Sequence, residues 1–181
     1  MLRIASAAVL MFALVGTAIA APKTYELTGD NTKITFVGTK KEGKHEGGFK
    51  SLKGTFAVDG NATTAKISVE IETDSMWTDN PMLTAHLKSA DFFEVKQFPK
   101  AKFVSTKITK EDKIYFVTGD LTLHGVTKPV TFVGDIVIDD DGVALNSDFK
   151  IDRNDWGITF GKGKIDDSVA LRISVSVKAK K

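Results

Sequence analysis

Cysteine is absent from all 181 residues. That single absence removes thiol nucleophiles, thiolate metal sites, covalent haem attachment and disulfide staples together. Histidine is scarce as well: His45, His86 and His124 fall in three separate segments, with no H-x-H or H-E-x-x-H spacing. Such spacing is what brings imidazoles onto one metal ion, so the three read as hydrogen-bonding or surface side chains. There is no G-x-S-x-G elbow to raise a serine nucleophile. Charge of one sign is lacking too. With Arg3 set aside, 24 basic residues face 23 acidic ones. They are interspersed rather than massed into a block that could track phosphates, which argues against nucleic acid as a partner. Paired carboxylates do occur at Asp139–Asp141 and at Asp166–Asp167, but in turn contexts. "DDDG" at 139–142 lacks the alternating spacing and distal glutamate of a calcium loop and reads as a hairpin turn.

What is present begins with an export signal. "MLRIASAAVLMFALVGTAIAAPK" sets one cation before an apolar run that ends in small residues. This is the pattern of a secretory signal peptide cleaved after Ala20 or Ala21, so no stable membrane span is expected in the mature chain. Residues 1–21 are assigned to the signal and 22–181 to a single domain, periplasmic or secreted. A mature chain of about 160 residues is long enough to build its own core without disulfides.

Period-two alternation dominates that domain. Ile67, Val69 and Ile71 alternate with Lys66, Ser68 and Glu70, and the same pattern runs through 143–151 and 168–178. Further runs fit at 23–28, 33–39, 54–58, 101–108, 113–123 and 128–138, separated by "TGDN", "VDGN", "KEDK" and "DDDG". One apolar and one wet face mark antiparallel strands. Roughly eight short strands with almost no helical periodicity indicate a sandwich or a barrel.

One interval breaks the alternation. Residues 73–99 hold Met76, Trp77, Met82, Leu83, Leu87, Phe92, Phe93 and Phe98, more apolar surface than a solvated loop would carry. At about 25 residues the segment is too long for an ordinary hairpin connection. "DNPMLTAHLKS" offers Asp79 or Asn80 as an N-cap and Pro81 at the first helical position, so a short helix closing one end is expected. Phe92 would then face a lumen while Phe93 packs on the wall. Twelve phenylalanines are the other peculiarity. Phe36, Phe56, Phe103, Phe116, Phe132 and Phe149 each lie on a different expected strand. In a closed barrel the interior is either filled by such side chains or holds one slender ligand, and composition leaves both open. "DRNDWGITFGKGK" (152–164) adds Arg153 and Trp156: the arginine either reaches a buried anion or pairs with Asp152 or Asp155 to brace a corner.

Three stretches together resemble the YceI-like family of exported polyisoprenoid-binding proteins: "HLKSADFFEVKQFPKAKFVST" (86–106), "VTGDLTLHGVTKPVTF" (117–132) and "FKIDRNDWGI" (149–158). "GGFKSLKGTF" (47–56) and "VALRISVSV" (169–177) fit the same layout, and the similarity runs along essentially the whole mature chain. One departure lies at Leu83-Thr84, where many members carry an Arg-Asp pair. The resemblance implies an all-β fold, an extended lipocalin-like antiparallel barrel whose apolar lumen takes an isoprenoid chain, with 73–99 as part of the enclosure.

The expectation is therefore a carrier or sequestering protein for an isoprenoid lipid or quinone, acting without bond chemistry and without a cofactor or metal. Phe36, Phe56, Phe103, Phe116, Phe132 and Phe149 are expected to line the lumen. Trp77, Phe92, Phe93 and Trp156 are expected near an end, with His86 or Arg153 at a polar head group. The rivals are an enzyme acting on a hydrophobic isoprenoid substrate through His86 and a nearby carboxylate, and a dry-cored protein-interaction module. A homodimer through a strand edge or a barrel end is compatible with the sequence.

Overall fold

The computed structural model describes residues 22–179, so the expected signal peptide lies outside the described residues. The strands are β1 (Lys23–Thr28), β2 (Thr32–Lys40), β3 (Gly43–Phe49), β4 (Leu52–Val58), β5 (Lys66–Glu72), β6 (Met76–Thr78), β7 (Lys100–Glu111), β8 (Ile114–Leu123), β9 (Val126–Asp139), β10 (Gly142–Asp152) and β11 (Ser168–Lys178). Among the described residues one α-helix, α1 (Pro81–Lys88), interrupts them. All eleven strands join in one sheet, in the order β1-β4-β5-β7-β8-β9-β10-β11-β2-β3-β6, and every pairing is antiparallel. The sheet curls into a half-barrel of lipocalin-like form. Eleven strands replace the roughly eight expected because β3 and β6 carry no alternating signal. β3 reads "GKHEGGF" and β6 is three residues long.

Alternation sets which face turns inward. On β5, Ile67, Val69 and Ile71 are buried, while Glu70 points outward between Lys53 of β4 and Lys102 of β7. Register is not uniform along β7. A bulge between Ser105 and Lys107 switches the inward positions from Ala101 and Phe103 to Ile108. At that irregularity Ser105 Oγ accepts the Ile67 N–H at 2.8 Å, so a side chain takes over a ladder hydrogen bond.

β9 serves two partners in turn. Its first part, Val126–Gly134, pairs with β8, and its last part, Asp135–Asp139, pairs with β10. Between the splayed halves of β9 and β10 the wall opens, and Pro129 falls in the stretch that β10 leaves unpaired, where a missing N–H breaks no ladder bond on that side. The 3-10 turn Arg153–Trp156 plugs the opening. Trp156 is 2% exposed and its indole N–H donates to the Leu121 carbonyl at 3.0 Å.

Residues 73–99 run from β5 to β7, two adjacent strands, and on the way supply β6 to the far edge of the sheet. Thr73 closes the neck: its N–H donates to Pro99 O at 2.9 Å and its hydroxyl to Phe98 O at 2.7 Å. Asn80 caps α1, its side-chain oxygen accepting the Met82 and Leu83 N–H groups at 2.9 and 3.2 Å, with Pro81 next to it. Among the described residues no helix is long and apolar enough to cross a membrane.

Candidate ligand-binding cavity

The inner faces of the strands surround a cavity of about 320 Å³. Two aromatic ladders run along it. Phe103, Phe132 and Phe149 form one, with centroids 5.6 and 4.7 Å apart and the last pair stacked at 16°. Phe36, Phe49 and Phe93 form the other at 6.0 and 6.1 Å. Both ladders need glycines. A β-carbon at Gly119 would lie 2.5 Å from Phe103 Cζ, so its absence lets that ring cross β8 toward Phe132. Gly47 does the same for Phe36, where a β-carbon would again fall 2.5 Å from the ring. Aliphatic side chains such as Val69, Leu145, Ile173 and Val175 fill the intervals.

Of the twelve side chains singled out in the sequence, eight border this cavity: Phe36, Phe56, Phe92, Phe93, Phe103, Phe132, Phe149 and Arg153. Four do not. Phe116 turns to the outer face because Tyr115, Val117, Gly119, Leu121 and Leu123 occupy the inner positions of β8. Trp77 lies on the outside over Gly48, whose β-carbon would sit 3.1 Å from the indole nitrogen. Trp156 plugs the wall. His86 projects from α1 beside the cavity, its ring 5.0 Å from both Phe92 and Phe160 and its Nε2 2.8 Å from Asp91 Oδ2. Phe92 and Phe93 both reach the cavity, since they sit in consecutive turns rather than on a strand and need not point to opposite faces. Phe49 was missed with β3.

Arg153 is committed elsewhere. It is 5% exposed, and its guanidinium donates to the carbonyls of Asp166 (3.1 Å), Ile158 (2.8 Å), Phe160 (2.7 Å) and Ile165 (3.3 Å) and to Asp167 Oδ1 (3.3 Å). Five bonds account for all five guanidinium donors, leaving none for a ligand anion. It braces the 157–167 loop, through Asp167 and carbonyls rather than through Asp152 or Asp155.

The remaining polar groups on the lining lie almost entirely at one rim. Thr32 is buried, with its hydroxyl bonded to Asn31 Oδ1 at 3.0 Å. Thr39, Lys40 and His45 come from the β2–β3 hairpin. His45 Nδ1 lies 2.9 Å from Asp79 Oδ1, tying the hairpin to the start of α1. That hydrogen bond, with the Glu46 N–H at 3.2 Å, holds the Asp79 carboxyl below the ordinary carboxylate range. Lys40 and His45 were not singled out in the sequence; "GTKKEGKHEGG" shows only a polar hairpin. His124 is remote from the rim. It occupies the β8–β9 turn with positive φ, its Nδ1 3.1 Å from the Trp156 carbonyl and its ring 4.5 Å from Phe98.

An antiparallel half-barrel wrapped around an almost wholly apolar cavity, its free polar groups gathered at one rim, defines a lipocalin-like fold. The YceI-like domain model matches residues 25–177, and the chain belongs to that family. A UPF0312 protein of Pseudomonas putida is 42% identical over 137 residues, covering 71% of each chain. Protein YceI of Salmonella newport is 35% identical over 168 residues, covering 88% of each. Among solved structures, a polyisoprenoid binding domain from Saccharophagus degradans implicated in plant cell wall breakdown superposes with a TM-score of 0.69 at 15% identity, over 87% of this chain and 98% of that one. At that identity the likeness shows the fold.

Proposed function

We propose that this protein is an exported carrier that sequesters an isoprenoid lipid or quinone, holding its chain in the cavity by burial alone. The observation that carries the reading is the continuous aromatic and aliphatic lining, in which the donors of Arg153 and Thr32 are already used. Phenylalanine suits a branched, unsaturated chain because its rings offer broad contact and no donor to satisfy. A cavity of this size would take part of a long isoprenoid, with the remainder leaving through the mouth. Each buried methylene contributes ~0.8 kcal/mol, so about ten give ~8 kcal/mol before ordering costs, a micromolar affinity. Membership of the YceI-like family and the fold shared with a polyisoprenoid binding domain support this reading. In it the polar rim of Thr39, Lys40 and His45 faces the head group.

The enzyme alternative draws on the His86–Asp91 pair. That pair lies behind Phe92 and off the cavity lining, so a chain in the lumen would not present its atoms to it. The test is native mass spectrometry of protein purified from its own host, followed by organic extraction. The expected result is a stoichiometric adduct extracting as an isoprenoid or quinone. A bare mass with no uptake of added polyprenyl lipid would overturn the reading in favour of a dry-cored module.

A further inference from the structure

We propose that a layer of side chains centred on Phe56 is a stop that sets how much of an isoprenoid chain the lumen encloses. The inference rests on the carrier reading and assigns its length selectivity to the closed end of the cavity. The interior of the barrel is divided in two. The cavity lining reaches down to Leu27 on β1, Phe56 on β4, Ile67 on β5, Phe132 on β9, Leu145 on β10 and Val175 on β11. Beyond that level the inward positions are Tyr25, Val58, Ile108, Val117, Ile136 and Val143, all buried and none on the lining. One sheet therefore encloses a hollow part and, beneath it, a packed part.

The boundary between them is built into the strands. On β7 the bulge between Ser105 and Lys107 separates Phe103, which lines the cavity, from Ile108, which does not. The packed end is sealed by the 3-10 turn Ala62–Thr64, which lies against β7 and β9 and buries Ala62 together with Ala65. Phe56 borders the lumen yet is 0% exposed, and it pairs with Tyr25 on one side and Ile67 on the other. Its ring is thus the largest fully buried side chain at the level where the lumen ends. The strand β2 carries both ends of the lumen, Thr32 at the floor beside Val175 and Lys40 at the rim. At about 3.3 Å per residue they lie ~26 Å apart along the strand. Among the described residues the floor carries one polar side chain, Thr32, and its hydroxyl is bonded to Asn31 Oδ1. Thr39, Lys40 and His45 stand at the opposite end. A chain therefore enters with its apolar end first and advances until it meets the Phe56 layer. Up to that length each further enclosed methylene raises affinity roughly four-fold. Units beyond it stay outside the mouth and add nothing.

The test titrates the purified protein with geraniol, farnesol, geranylgeraniol and longer polyprenols up to undecaprenol, with bound masses read by native mass spectrometry. Wild-type affinity is expected to climb with chain length and then level off. Phe56→Ala lowers the floor by a benzyl group, so prenols longer than the wild-type plateau should gain at least about ten-fold over wild type, while farnesol stays within about three-fold. Leu145→Phe raises the floor and should weaken the same long prenols at least about ten-fold, again sparing farnesol. Comparing variant with wild type at each length cancels the aqueous behaviour of the prenol itself, and circular dichroism checks that each variant is folded. The wild-type profile is a test that needs no variant: affinity that rises without levelling off would overturn the proposal. Plateaus that coincide in wild type and folded variants would overturn it too, and would leave the carrier reading standing. Binding of no prenol at any length would overturn both.

Discussion

Replacing Arg153 with methionine tests whether this arginine belongs to the scaffold or to the ligand. Methionine keeps most of the apolar length of the stem and removes the guanidinium. Four carbonyls and one carboxylate then lose their donors. The carboxylate, Asp167, and the carbonyls near exposed Asp166 and Phe160 recover water, so most of the penalty falls on the carbonyls of Ile158 and Ile165. A buried acceptor left without a partner costs about 1–3 kcal/mol, so the variant should lose about 3–5 kcal/mol. That is a large share of the 5–15 kcal/mol typical of a domain, and corresponds to a fall of roughly 10 °C in thermal midpoint. Urea unfolding followed by tryptophan fluorescence reads the change directly, since Trp156 ends the same 3-10 turn. Isoprenoid affinity, measured well below the midpoint, should stay within about three-fold of wild type, a change of under 1 kcal/mol. A variant of unchanged stability that loses cargo would refute the reasoning and make Arg153 a head-group anchor.

Three further outcomes follow from the same geometry. Val69→Trp places an indole in the cavity and should cut isoprenoid uptake more than about ten-fold while the protein stays folded, read by native mass spectrometry of titrated samples. Gly119→Ala puts a methyl 2.5 Å from both Phe103 Cζ and the Val104 carbonyl, so it should cost about 1–3 kcal/mol in urea unfolding; an unchanged midpoint would show that the ladder shifts freely. Glu70, hydrogen-bonded by Lys100, Lys102 and Lys53, is held at about 2 against an ordinary 4.5. Its contribution to stability is complete above pH 4.5 and fades as pH falls through about 2. Glu70→Gln should therefore be less stable than wild type near neutrality, with the gap narrowing across that acid window and shrinking in high salt. A gap that persists at pH 2 would exclude the ion cluster as its source.

What was legible in the sequence was whatever alternation or a local cap could encode. β5, β10 and β11 show their inward positions plainly, and Asn80 with Pro81 announces α1. Phe116 shows how a strand can be read correctly and its face misread. Counting one phenylalanine per strand ignored the alternation of Tyr115, Val117, Gly119, Leu121 and Leu123, which already placed position 116 outside. β3 was illegible because Gly47 and Gly48 are chosen for the space they leave, to Phe36 and Trp77, rather than for any propensity. The role of Arg153 was legible only in three dimensions, since its acceptors are carbonyls of the 158–166 stretch, and carbonyls leave no trace in a sequence.

Beyond its polar rim, a lining whose buried donors are already bonded sorts a chain by girth and length alone. That interior applies no chemical test to the chain it holds, so two chains of equal bulk and like head group compete according to their abundance. On the carrier reading, the cargo of such a vessel is decided by the lipid pool it meets: transplanted to a foreign host it would return loaded with that host's isoprenoids, and its contents would report on the membrane that filled it.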